Sequence, residues 1–87
     1  MTHQHARFVF QGAFQPASFV AFARHRADRL GLDIQCRQAN TDAVALDVSG
    51  AAELVDAFEM ACSLGPLDCH VFDVERHCVE PAVLTGA

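Results

Sequence analysis

Residues 6–11 (ARFVFQ) alternate, with Ala6, Phe8 and Phe10 on one side and Arg7, Val9 and Gln11 on the other. That period of two predicts a half-buried strand. Gly12 to Ala17 read as a loop, because Gly and Pro interrupt the pattern. From Ser18 the period changes. Ser18 is the predicted N-cap, Phe19, Phe22, Ala23, Ala27 and Leu30 recur at spacings of three and four, and Gly31 is the stop, so a helix of about three turns is expected. Ile34 to Ala39 and Ala43 to Ser49 are two further strands joined by a turn at Asn40-Thr41-Asp42. In the second of them Val44, Leu46 and Val48 alternate with Ala43, Ala45 and Asp47, and Gly50 ends it. Ala51 to Leu64 reads as a second helix, with a stripe of Leu54, Val55, Phe58, Ala61 and Cys62, and Gly65-Pro66 stops it. His70 to Arg76 is a last strand, and Pro81 onward a tail.

The order strand, helix, strand, strand, helix, strand is that of a split β-α-β arrangement. The expected fold is α+β and ferredoxin-like, a βαββαβ sandwich with two helices on one face of a four-stranded antiparallel sheet. The 87 residues make one domain, with a core at 6–76 and a C-terminal tail at 77–87.

Composition narrows the function classes. The chain is 52% hydrophobic with a formal charge of -5, and its strong bases are six arginines with no lysine. An apolar chain of this size buries roughly 60% of its unfolded surface, enough for a core without staples. An acidic domain with neither Tyr nor Trp lacks the basic, aromatic surface that nucleic acid or an anionic membrane requires. No apolar run approaches the ~18 residues of a membrane span. No apolar stretch follows the first residues, which predicts a cytoplasmic protein without a signal peptide. Cys36, Cys62, Cys69 and Cys78 are then expected as free thiols rather than disulfides.

One further pattern is more specific. Gly12, Gln15, Phe19, Phe22, Ala27, Leu30-Gly31-Leu32, Arg37, Gly50, Ala57-Phe58, Gly65-Pro66, Val71 and Val74 fall in one ungapped register. In that order and spacing the chain resembles the acylphosphatase family over roughly positions 6–76. The resemblance implies the ferredoxin-like fold and cofactor-free hydrolysis of the carboxyl-phosphate bond of acyl phosphates. In such enzymes backbone N–H groups of a loop and helix N-terminus wrap the phosphate, an Arg at the loop's end neutralises it, and an Asn on the next strand holds the attacking water. Here the equivalent loop is Gln15, Pro16, Ala17, Ser18, Phe19 and Val20. The Arg position falls on Val20, the Asn position on Gln38, and the loop glycines are replaced by Pro16 and Ser18.

Each replacement removes a physical device. Pro16 has no N–H to donate and a fixed φ. Val20 removes the charged, bidentate partner of phosphate oxygens. Loss of one such stabiliser typically costs about 2.7–4 kcal/mol, or 10² to 10³ in rate. The expected function is therefore that of a catalytically inactive acylphosphatase-like domain acting as a binding or oligomerisation module. The alternative is an active acylphosphatase with a displaced site. Arg24 lies one turn beyond Val20 on the same helix face, and Asn40 lies two residues beyond Gln38 on the same strand face. Against that alternative, Arg24 belongs with Arg26 and Arg29 to a solvated helix face, and Asn40 serves the turn.

Other clusters carry less. His3 and His5 lack a third metal ligand nearby and read as a frayed terminus. Cys69-His70 and His77-Cys78 are separated by roughly 25 Å of strand. Cys36 beside Arg37 is a candidate reactive thiol. No metal and no cofactor are expected. An apolar patch on the open sheet face would indicate a homodimer or a protein partner there.

Overall fold

The computed structural model describes residues 3–78. Its elements are β1 (His3–Ala13), α1 (Pro16–Leu30), β2 (Asp33–Ala39), β3 (Ala43–Ala51), α2 (Ala52–Leu64) and β4 (His70–Cys78). The strands form one antiparallel sheet in the order β2-β3-β1-β4, with both helices packed on it. This is the ferredoxin-like α+β sandwich that the hydrophobic pattern predicts.

Ala6, Phe8 and Phe10 of β1 and Val44, Leu46 and Val48 of β3 are fully buried, while their odd-numbered neighbours are not. Period two thus gives the sheet one covered face. Phe19, Ala23 and Ala27 of α1 and Val55, Phe58 and Cys62 of α2 close over it. Five rings run through this core in sequence. Phe58 lies 5.9 Å from Phe8, Phe8 5.8 Å from Phe10, Phe10 5.2 Å from Phe19, and Phe19 4.8 Å from Phe14. Each such pair adds about 0.5–1.5 kcal/mol beyond area burial. At the β4 edge the Arg76 guanidinium lies 5.4 Å from the Phe8 ring and bonds Asp56 (2.7 Å) and Glu59 (2.9 Å) of α2.

Several boundaries differ from those expected. β1 continues through Gly12 and Ala13, which stay paired with Val71 and His70 beyond a bulge after Gln11. Toward the N-terminus, His3 and His5 pair with Ala51 and Ser49, so they belong to the sheet rather than to a frayed end. α1 starts at Pro16 and runs four turns, with Gln15, not Ser18, as the N-cap. Proline is well suited to the first helical position, where its missing N–H would have no helical partner. Gly50 lies within β3 opposite Gln4 instead of ending it. Leu54 is 38% exposed, because Val55, Phe58 and Cys62 already fill the buried stripe of α2. His77 and Cys78, assigned above to the tail, extend β4 opposite Arg7 and Ala6. Residues 79–87 of the expected tail lie outside the described residues.

Two glycines carry conformational weight. Gly31 (φ 69°) ends α1 with paired bonds, its N–H donating to Asp28 O and that of Leu32 to Ala27 O. At Gly12 a Cβ would stand 1.9 Å from the carbonyl oxygen of His70, so only glycine lets β1 and β4 approach at the bulge. Gly12→Ala is expected to destabilise the domain by about 1–3 kcal/mol, read from its urea midpoint.

On the open face Asp47 accepts two bonds from Arg7 (2.7 and 3.3 Å), with Arg37 at 3.6 Å. The Arg7 hydrogen bond, followed by the charges of Arg7, Arg37 and His5, holds the Asp47 carboxyl below its usual range against the opposing effect of partial burial. A carboxylate whose folded value lies below its unfolded one, about 3.9, contributes fully above the unfolded value and loses that contribution as pH falls through the folded one. Asp47→Asn is therefore expected to lower the urea midpoint at neutral pH and to flatten its decline as pH falls below about 4. An unchanged acid limb would remove this role.

Candidate functional site

The segment equivalent to a phosphate loop joins the end of β1 to the start of α1. Several backbone donors here are committed. The Gly12 N–H donates to Asp42 O (3.0 Å) and the Phe14 N–H to Thr41 O (2.9 Å), tying the segment to the β2–β3 turn. The Gln15 N–H donates to the thiol sulfur of Cys69 (3.4 Å), and Pro16 has no N–H. Ser18, in the first turn of α1, donates its hydroxyl proton to the Asp68 carboxylate (3.0 Å).

Asp68 sets the electrostatics of this end of the fold. Its carboxylate lies at the positive end of α1, where a helix favours an anion. A phosphate would seek that same end. The carboxylate is exposed, so its charge at this end is screened by solvent. Burial raises the Cys69 thiol above its usual value, more than the Gln15 backbone bond lowers it, and Asp68 adds to the rise. Cys69 is therefore held as a thiol and serves as a packing and hydrogen-bonding group.

Val20 is half-buried against the core and supplies no charge. Gln38 is exposed and pairs with Ala45 beside the irregularity at Arg37. Arg24 is exposed on α1. Asn40 shapes the β2–β3 turn, its side-chain oxygen accepting from the N–H of Asp42 (2.8 Å) and Ala43 (2.9 Å). Arg7, the remaining base near the N-terminal strand, is engaged by Asp47.

The contacts that Asp68 and Cys69 make with the loop had no signal in the sequence. They reach Ser18 and Gln15 across 50 and 54 positions, and only the packing of β4's leading segment against the loop brings them there. The four cysteines are free thiols. Burial pushes Cys62 up to about 12, which leaves it unreactive at neutral pH. Cys69 and Cys78 bracket β4 at opposite ends, and among the described residues no three His, Cys, Asp or Glu side chains converge as a metal site.

The exposed apolar side chains lie elsewhere than on the open sheet face. On the open sheet face Arg7, Asp47 and Glu75 surround Val9 and Ala45, so this face is dominated by charged and polar groups. The large exposed apolar side chains are elsewhere. Met60 (72% exposed) and Leu64 (80%) are on α2, Leu67 is in the α2–β4 connection, and Phe72 is on the edge strand β4. Met60 and Leu64 line a groove between the helices together with Phe22, Arg26, Ala57 and Ala61. Among the described residues no helix is long and apolar enough to cross a membrane.

No family model and no curated protein sequence matches the chain. Solved structures do. The chain superposes on the acylphosphatase from Bacillus subtilis with a TM-score of 0.82 at 18% identity, covering 94% of this chain and 90% of that one. For an acylphosphatase from Coxiella burnetii the TM-score is 0.81 at 18% identity, covering 90% and 82%. The C-terminal domain of the MgtC protein from Mycobacterium tuberculosis is more distant, with a TM-score of 0.52 at 16% identity over 92% and 89%. The chain therefore has an acylphosphatase-like fold.

Proposed function

We propose that this protein is an acylphosphatase-like binding module that does not hydrolyse acyl phosphates. One observation carries the reading: the Asp68 carboxylate, bonded to Ser18 at the start of α1, puts a negative charge where the fold would otherwise present an anion seat. The chain's chemistry supports it further. The loop offers Pro16 in place of a donor and Val20 in place of a cation, and Gln38 stands in place of the asparagine that would orient water. Of the displaced candidates, Asn40 is engaged in a turn and Arg24 points to solvent on α1; Arg7 is held in an ion pair. The reading includes a cytoplasmic location, supported by four cysteines held as thiols.

Purified protein is expected to hydrolyse a simple aryl acyl phosphate no faster than buffer. Turnover above buffer that disappears in Arg24→Ala would replace this reading with that of a displaced active site. A graft separates missing side chains from a closed seat. Val20→Arg with Gln38→Asn is expected to leave the Ala17 and Ser18 amide NMR signals unmoved by millimolar inorganic phosphate. Adding Asp68→Asn to the pair is expected to make those signals move. Movement without the Asp68 change would show that the carboxylate does not block the seat.

A further inference from the structure

We draw no further inference here: the strongest candidate, the pocket on the open sheet face between His5, Asp33, Gln35, Asp47 and Ser49, is a cluster of polar and acidic side chains whose less exposed carboxylate, Asp47, is already bonded to Arg7 and flanked by Arg37, and nothing in the structure points to a ligand for it.

Discussion

The run of phenylalanine rings from Phe58 through Phe8, Phe10 and Phe19 to Phe14 is the constraint on which the other features depend. It starts on α2, crosses β1, enters α1 and ends at the β1–α1 connection, so it fixes both helices on the sheet and the loop at its end. With neither Tyr nor Trp in the chain, these rings carry no polar handle that must be satisfied. Among the described residues the buried set contains no polar or charged side chain. Charge is therefore kept out of the core: Arg76 joins β4 to α2 at its edge, and Asp47 of β3 binds Arg7 of β1 and Arg37 of β2 on the open sheet face.

The consequence for chemistry follows from where the rings end. Phe14 packs against Phe19, and of the four residues between them Gln15 has its N–H on Cys69 while Pro16 has none. A wrapped anion needs several free N–H groups on a permissive backbone. This connection instead leans on Cys69, Asp68 and the β2–β3 turn, contacts that satisfy it internally. The fold resembles that of acylphosphatases, and the start of its α1 carries a bond from Ser18 to Asp68. Fold and site are separable properties, and a shared architecture does not carry an activity with it.

Much of the architecture was legible in order and period. Phe8 and Phe10, Val44 to Val48, and Phe19, Ala23 and Ala27 follow from periods of two and 3.6, since burial on one face is a local consequence of backbone geometry. The ends of elements were less legible. Pro16 and Gly12 break a pattern in sequence, yet the first begins a helix and the second permits a close strand contact, because the same residue types serve both breaks and tight junctions. Val20 and Gln38 were visible as departures from the acylphosphatase pattern. Asp68 and Cys69 were not, because nothing local couples them to a loop more than 40 positions away.

By itself the sequence determined the layers of this protein, its acidic balance and the absence of a charged residue from the Gln15–Val20 loop, all of which are properties of residue type and spacing. Tertiary structure decided which groups meet at the start of α1, which face stayed polar, and where exposed apolar side chains gather. The physical reason is that each of these is a contact between elements. Met60 and Leu64 read as ordinary helix residues until the buried stripe of α2 is filled by Val55, Phe58 and Cys62, and only that packing leaves them outside.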